Sequence, residues 1–296
     1  MISLCVPATT GNVGPGFDSL GLAFSLYAHF GFEKLPAGKL EFEGCAEEYC
    51  NEENLAVQAF RATERALGVE PSGIGLKIAT DVPVSRGLGS SATLLAAGAY
   101  AANALNGGNL APVDLLNITT RIEGHPDNLA PALLGGLCAS VVLESEVVCV
   151  RYPVHERLRF VALIPDFPLS TSLARRALPD AYSRKDAVFN LSRTGVLIRA
   201  LESGDRGLIR VALDDRLHQP FRAKLIRGFD TVQTAALDLG AEAMIISGSG
   251  PTLLAVTDQA RAEAFAREIE RRLRPLGDGW RAIEMSVDKT GTHIES

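Results

Sequence analysis

The chain has 296 residues, of which 47% are hydrophobic and 22% charged, and its formal net charge is -6. This composition allows a large buried core, and the weak acidity argues against sequence-independent nucleic-acid binding, which needs clustered lysine and arginine. No apolar run reaches the ~18 residues that cross a bilayer, the first residues do not read as a secretory signal, and the cysteines form neither a disulfide framework nor a CxxC pair. The sequence therefore predicts a cytoplasmic protein with reduced thiols and with neither a membrane nor a nucleic-acid partner.

The first half of the chain alternates strands and helices around glycine-rich loops. Apolar runs over residues 2–6 and 19–32 predict strands on either side of the glycine-rich segment 11–16. Asn54 is a predicted N-cap of a helix that ends at Gly68, and residues 74–78 alternate as in a strand. The loop PVSRGLGSS follows, and residues 92–105 predict an apolar helix.

The second half predicts a similar mixture. Residues 160–164 indicate a buried strand, residues 188–201 a helix, and residues 244–246 and 253–256 two strands around the loop SGSGPT. Asp258 is expected to cap a final amphipathic helix. A polar, proline-containing stretch near residue 150 follows a strand-rich segment, which predicts two lobes, 1–150 and 151–296.

The segment PVSRGLGSSA, residues 83–92, is suited to hold a phosphate. It joins a predicted strand to a helix, whose N-terminus offers unpaired N–H groups and the positive end of the helix dipole. Gly87 and Gly89 let the backbone approach an anion, Ser90 or Ser91 can cap the helix, and the other hydroxyl can reach Mg²⁺. Neither a Walker A lysine nor GxGxxG is present. Alone, the loop also fits an ordinary strand-to-helix turn.

Two further glycine-rich segments change that balance. PATTGNVGPGFDSLG covers residues 7–21 and SGSGPT covers residues 247–252. Three such loops flanked by apolar strands favour backbone amides that converge on a polyanion.

These three segments, in this order, resemble the three motifs of the GHMP kinases. EGHPDNLAPALLGG from Glu123, STSLAR from Ser170 and QPFR from Gln219 resemble the homoserine kinases of that superfamily. The resemblance implies an α+β fold of two lobes with the site between them. The N-terminal lobe would resemble domain 2 of ribosomal protein S5, and the C-terminal lobe would be ferredoxin-like. The implied reaction is ATP-dependent phosphorylation of the L-homoserine hydroxyl in threonine biosynthesis.

The resemblance also implies the residues that hold Mg-ATP. Ser91 matches the family's magnesium-binding serine, and Glu123 matches its carboxylate partner. Glu123 lies closer to His125 than in longer relatives. The implied ATP-binding residues are Pro83, Arg86, Gly87, Leu88, Gly89, Ser90, Ser91 and Ala92.

The acceptor site is implied in the same way. Arg175 and Arg222 match carboxylate-binding arginines, which suit bidentate recognition, and Asp18 suits an ammonium group. Asn12, Asn128 and Arg175 are the expected catalytic residues. The expected substrate-binding residues are Asn12, Asp18, His125, Asp127, Asn128, Thr171, Arg175, Arg222 and Gly248.

The catalytic base is left open by the sequence. Asn128 stands where mevalonate kinase relatives carry an aspartate, and an amide cannot accept the hydroxyl proton. We expect the proton to pass to the γ-phosphate or to solvent, with a base role for Asp127 as the alternative.

Two rival functions follow from the same motifs. Another GHMP kinase would keep the ATP loop and accept a mevalonate-type or sugar substrate. A non-catalytic member would show a damaged glycine-serine loop or no Glu123, and both features are intact. Dimers are common among related kinases, so a homodimer is compatible with the resemblance.

Overall fold

A computed structural model describes residues 1–144 and 146–295, and its first sheet is built mainly from the N-terminal half. The strands from this half are β1 (Ile2–Gly11), β2 (Leu20–Leu35), β3 (Leu40–Glu43), β4 (Gly73–Thr80), β5 (Leu137–Val142) and β6 (Val147–Tyr152). β1, β2, β4 and β3 are neighbours in that order, and β5 joins β2 to β6. β3 and β4 pair in parallel and the other pairs are antiparallel. In this sheet, glycine-rich loops follow the ends of β1 and β4.

Four helices accompany this sheet: α1 (Leu55–Leu67), α2 (Ser90–Leu105), α3 (Pro112–Glu123) and α4 (Leu129–Leu134). The predicted caps of α1 are confirmed, since Asn54 accepts the N–H of Ala56 at 3.0 Å and Gly68 has a left-handed φ of 68°. α2 packs closely on α1, because a Cβ at Gly98 would lie 2.0 Å from the carbonyl oxygen of Ala56. Small residues therefore fix the position of α2 and of the loop before it.

The second sheet contains β7 (Leu158–Ile164), β8 (Ala243–Ile246), β9 (Leu253–Asp258) and β10 (Arg281–Met285), all antiparallel, in the order β10-β7-β9-β8. Helices lie between β7 and β8 and between β9 and β10, which gives the predicted ferredoxin-like arrangement. They are α5 (Thr171–Arg176), α6 (Arg184–Ser203), α7 (Arg206–Ala212), α8 (Gln219–Arg222), α9 (Phe229–Asp238) and α10 (Ala262–Leu273). β11 (His293–Ile294) returns to the first sheet and pairs with β1.

The predicted cap of α10 is wrong. Asp258 ends β9, and its side chain accepts the N–H of Ala260 at 3.0 Å in a local turn. α10 begins at Ala262, with Arg261 as its N-cap. The Asp258 side chain is engaged in this turn and therefore does not cap the helix. Short polar side chains often bond to nearby backbone groups in this way.

The apolar core joins the two sheets. Its largest cluster includes residues of both, and the rings of Phe24 on β2 and Phe160 on β7 are 5.2 Å apart. A second cluster lies between the second sheet and α9 and α10, around Trp280. Residue 150 falls inside β6, and the lobe boundary proposed there stays a prediction. None of the helices in the described residues is long and apolar enough to cross a membrane.

Candidate active site

The three glycine-rich loops meet and hold one another. Gly248 donates its N–H to the carbonyl of Gly11 and the hydroxyl of Thr10, at 3.2 and 3.1 Å. Ser247 donates its hydroxyl to the carbonyl of Gly87 at 2.6 Å. A Cβ at Gly87 would lie 2.3 Å from the carbonyl oxygen of Ser247. The predicted convergence is therefore present, but amides of the 247–252 loop are used to bind the other loops.

The N-terminus of α2 is the uncapped element of this group. Gly89 is its N-cap, with a left-handed φ of 73° and no side-chain cap. The N–H groups of residues 90–92 therefore have no acceptor within the helix. A cavity of about 470 Å³ lies at this helix end, and its wall includes Gly89, Ser90 and Ser91. Open amides and the helix dipole together favour a phosphate here.

Some predicted ATP-binding residues have other roles. Neither Ser90 nor Ser91, one of which was expected to cap the helix, does so: Ser90 is the first helical residue, and Gly89 takes the N-cap position. Leu88 and Ala92 are fully buried in the apolar core, so their side chains do not line the cavity, and neither does Pro83. Arg86 does line it, but its guanidinium donates to the carbonyls of Val84, Pro165 and Asp166. These bonds fix the loop against the second sheet.

Ser91 and Glu123 lie together despite the short spacing of Glu123 from His125. Glu123 is the last residue of α3, and Ser91 donates its hydroxyl to the Glu123 carboxylate at 2.6 Å. Gly124 follows with a φ of 90°, which turns the chain sharply towards His125. Two hard oxygen donors thus stand beside the open amides of α2, a donor set that suits Mg²⁺.

His125, Asp127 and Asn128 form one polar cluster in the cavity wall. Nδ1 of His125 lies 2.8 Å from Asp127, and the same carboxylate oxygen accepts the N–H of Asn128 at 3.1 Å. The hydrogen bond to Asp127 raises the pKa of His125, although burial opposes the shift. Thr9 donates to the side-chain oxygen of Asn128 at 3.0 Å. The Asn128 side chain is thereby oriented, with its amide nitrogen as the remaining donor.

Asp18 and Arg175 form a bidentate ion pair at the other side of the cavity. The two nitrogen–oxygen distances are 3.0 and 2.9 Å, and the hydrogen bonds raise the pKa of Arg175. Asn12 accepts the N–H of Asp18 at 2.9 Å and donates to the carbonyl of Gly248 at 3.1 Å. Two predicted substrate-binding groups of opposite charge are therefore paired with each other in this structure.

Arg222 is a nearly buried cation in the same wall. Its side chain is 1% exposed, and it donates to the carbonyl of Gly248 at 2.9 Å. Within the described residues its Nε is buried without a hydrogen-bond partner, and burial lowers its pKa. The guanidinium groups of Arg222 and Arg175 lie 5.2 and 5.8 Å from the centre of the Phe17 ring. An incompletely compensated buried charge of this kind favours an anionic ligand.

Thr171, which begins α5, also lines the cavity, 3.3 Å from the hydroxyl of Ser249.

Two kinds of site residue were missed by sequence reasoning. Residues of the second half support the first glycine-rich loop, since His218 lies 2.9 Å from the carbonyl of Gly14 and Asn190 donates to that of Pro15. The cavity also has an apolar region, formed by scattered residues of strands, loops and helices: Phe30, Cys45, Ala46, Tyr49, Leu55, Ile78 and Leu94. No sequence motif links these apolar positions. Among the residues that support the first glycine-rich loop, only His218 carried a sequence signal, because it directly precedes QPFR.

Comparisons with known proteins identify the family of the chain. The N-terminal domain model of the GHMP kinases matches residues 54–136, and their C-terminal model matches residues 197–274. The chain is 42% identical to a homoserine kinase of Clostridium botulinum over 296 residues, covering 100% of this chain and 99% of the relative. It is 41% identical to that of Clostridium beijerinckii, covering 99% and 98%.

Solved structures give the same result. The homoserine kinase of Cytophaga hutchinsonii superposes with a TM-score of 0.89 at 30% identity, covering 99% of this chain and 97% of that one. Mevalonate kinase from L. major, at 16% identity and a TM-score of 0.72, covering 97% and 96%, shares the fold. Because the match to the relatives extends over the whole length, the chain belongs to the homoserine kinase family of the GHMP kinases.

Proposed function

We propose that the chain transfers the γ-phosphate of ATP to the side-chain hydroxyl of L-homoserine, forming O-phospho-L-homoserine in threonine biosynthesis. One observation carries the proposal. A zwitterion-like pair, Asp18 with Arg175, shares a cavity with the open N-terminus of α2. The ion pair matches the headgroup of an α-amino acid, and the helix N-terminus matches a phosphate chain.

The lining of the cavity favours one orientation of the proposed ATP. Its apolar region, with Phe30 and Ile78 paired on adjacent strands, suits a purine, while the amides of residues 90–92 suit the phosphates. Phosphoryl transfer depends mainly on positioning and on neutralising charge. The interlocked loops and the dipole of α2 supply both.

Ser91 and Glu123 are the proposed ligands of Mg²⁺. Mg²⁺ commonly uses one or two protein oxygens together with phosphate oxygens and water, which these two side chains allow. When bound, the ion would neutralise phosphate charge.

Replacement Glu123→Gln should raise the free Mg²⁺ concentration needed for half-maximal rate by at least ~10-fold, because a direct ligand is lost. Initial rates at saturating ATP over a Mg²⁺ series measure this. Glu156→Gln, at an exposed position outside the cavity wall, is the matched control. An unchanged Mg²⁺ requirement in Glu123→Gln would remove Glu123 from the site.

Homoserine recognition is proposed to occur by exchange of ionic partners. The substrate carboxylate would take Arg175 and Arg222, and its ammonium would take Asp18. A ligand with only one of these charges would break the ion pair and leave Asp18 or Arg175 uncompensated, which is costly in a partly desolvated site. This favours an amino acid over mevalonate or a sugar.

The hydroxyl proton is proposed to leave without a protein base. Asn128 has no basic atom, and Asp127 is 1% exposed with one oxygen already accepting from Asn128 and contacting His125. Asn128 and Asn12 would orient the hydroxyl and a phosphate oxygen, and Arg175 would hold the acceptor in line.

A coupled ADP-release assay with Mg-ATP tests the acceptor. The panel contains L-homoserine, L-threonine, L-serine, mevalonate and galactose, with two matched analogues: 4-hydroxybutyrate, which lacks the ammonium, and 3-amino-1-propanol, which lacks the carboxylate. We expect rapid turnover with L-homoserine alone. Turnover with mevalonate or galactose would replace the acceptor but keep the kinase. ATP binding without any turnover would indicate a non-catalytic member.

The proposal also covers the compartment of the protein and its oligomeric state. The five cysteines are free thiols in the structure, which suits the reducing cytoplasm. We therefore place the chain in the cytoplasm. The homodimer compatible with the resemblance stays a prediction that sedimentation analysis would check.

A further inference from the structure

A cluster of metal-ligating side chains lies away from the catalytic cavity. Cys5 on β1, His29 on β2 and Glu295 after β11 each offer one ligand atom, and these atoms all lie within 4.8 Å of one another. In the part of the chain that the structure describes, it is the one group of at least three such residues that meets this criterion. None of the three lines the cavity assigned to ATP and homoserine.

Strand pairing brings these residues together. Cys5 is directly opposite His29 in the antiparallel pair of β1 and β2. On its other side Cys5 is opposite His293, and the N–H of Glu295 donates to the carbonyl of Ser3 at 2.9 Å. Side chains of directly paired residues point to the same face of a sheet. The sulfur and the imidazole therefore converge from two paired strands, and the carboxylate joins them from the residue that follows β11.

The three ligand atoms are close enough to converge on a small tetrahedral ion. Nδ1 of His29 is 2.7 Å from the Glu295 carboxylate, and the buried Cys5 thiol completes the triangle. Zinc bonds of about 2.0–2.3 Å require donor atoms roughly 3.5 Å apart. The three ligand atoms lie within 4.8 Å of one another, so an ion would need only to separate His29 from Glu295 and draw the thiol in. One sulfur, one nitrogen and one oxygen donor favour zinc over magnesium or calcium, which prefer oxygen alone.

The surrounding charge also favours a cation. Asp288 accepts a hydrogen bond from Tyr27 at 3.1 Å and lies near Cys5. The carboxylate of Glu295 also lies within 4.8 Å of the Cys5 sulfur. Two carboxylates thus place a negative potential at the thiol.

We propose that Cys5, His29 and Glu295 form a zinc-binding site with water as the fourth ligand. The ion would connect β1, β2 and the segment after β11. It would replace the proton on the Cys5 sulfur and bridge the present His29–Glu295 contact. His293, opposite Cys5 on β11, is not included, because it does not belong to the group of ligand atoms that lie within 4.8 Å of one another.

Cobalt titration of the reduced, metal-free protein tests the proposal, since a thiolate bound to Co²⁺ gives a charge-transfer band in the near ultraviolet. We expect the band to saturate at one Co²⁺ per chain and to be displaced by Zn²⁺. Cys5→Ser should abolish it, and His29→Gln and Glu295→Gln should each weaken binding at least ~10-fold. Cys149→Ser, which changes a partly buried thiol on β6, should leave the band unchanged.

The outcomes separate a metal site from an ordinary surface ion pair over a buried thiol. No band in the wild type, or a band retained in Cys5→Ser, would overturn the proposal. If Cys5→Ser does not fold, the partly exposed positions His29 and Glu295 decide, and equal Co²⁺ affinity in their variants and the wild type would overturn it. Zn²⁺ should also raise the unfolding midpoint of the wild type but not of Glu295→Gln.

Discussion

At the scale of single residues, the acceptor end of the cavity depends on two backbone positions that few side chains tolerate. Asn12 and Asp18 have φ values of 56° and 50°, in the left-handed region where asparagine and aspartate are enriched. The hydrogen bond from the Asp18 N–H to the Asn12 side chain holds the two together. Such geometry is concentrated at functional sites, where the surrounding structure enforces it.

Asp18→Asn tests the ionic role of this position while keeping a residue that accepts the backbone conformation. The KM for L-homoserine should rise by about 10–100-fold, because a charge-assisted contact is worth roughly 1.5–3 kcal/mol. The KM for ATP should stay within about 2-fold of wild type. Steady-state kinetics with each substrate varied provide the measurement, and Asp230→Asn, exposed on α9, is the control. A homoserine KM equal to that of the wild type would rule out the ammonium contact.

The sequence predicted the polar part of the site better than its apolar part. Ser91, Glu123 and Arg175 belong to recognisable motifs, and the structure brings all three to one cavity. Phe30 and Tyr49 line the same cavity but resemble ordinary strand and loop residues. Their position depends on tertiary packing of distant segments, which local patterns do not encode.

At the scale of elements, the loop before α2 is defined by close backbone contacts. Gly87 and Gly89 have φ values of 75° and 73°, and a Cβ at Gly89 would lie 2.1 Å from the hydroxyl oxygen of Thr9. The absence of side chains is therefore required both for the turn and for contact with neighbouring loops.

Gly87→Ala and Gly107→Ala separate these two requirements. Both glycines have left-handed φ, but a Cβ at Gly107 meets nothing within 4 Å, whereas one at Gly87 meets the Ser247 carbonyl. We expect Gly107→Ala to lose about 1–2 kcal/mol of unfolding free energy from backbone strain alone. Gly87→Ala should lose more and also raise the KM for ATP. Urea unfolding with steady-state kinetics makes the comparison, and identical losses with normal kinetics would contradict it.

Helix ends show where sequence patterns succeed and fail. Asn54 and Gly68 bound α1 as predicted, because the cap and the left-handed residue are local features. Asp258 looks equally suitable as a cap, yet it serves a turn before α10. The two-residue β11 was not predicted, since its pairing with β1 depends on a contact between the two ends of the described chain.

At the scale of the whole molecule, one apolar core extends across both sheets. Phe24 and Phe160 are fully or almost fully buried and pack together from different sheets. The general order of strands followed from the family resemblance. The extent of contact between the lobes did not, because no local pattern reports it.

Phe24→Ala should lower the unfolding free energy by about 3–5 kcal/mol, since it leaves a cavity between the sheets.

The protein has one tryptophan, Trp280, which lies in the second core cluster. If the two sheets unfold cooperatively, Trp280 fluorescence and far-ultraviolet circular dichroism should shift together in urea. A Trp280 transition that stays in place while the dichroism changes would show independent lobes. Val141→Ala, at an exposed valine, is the control.

The contacts among the glycine-rich loops also bear on the entropy of ligand binding. A flexible phosphate loop must be ordered by its ligand, at about 1–2 kcal/mol for each residue fixed. Here Ser247 already binds the loop before α2, and Gly248 accepts a hydrogen bond from Asn12 in the loop after β1. Folding has therefore ordered these segments in advance. Nucleotide affinity then reflects direct contacts, and more of the interaction free energy remains for stabilising the transferring phosphoryl group.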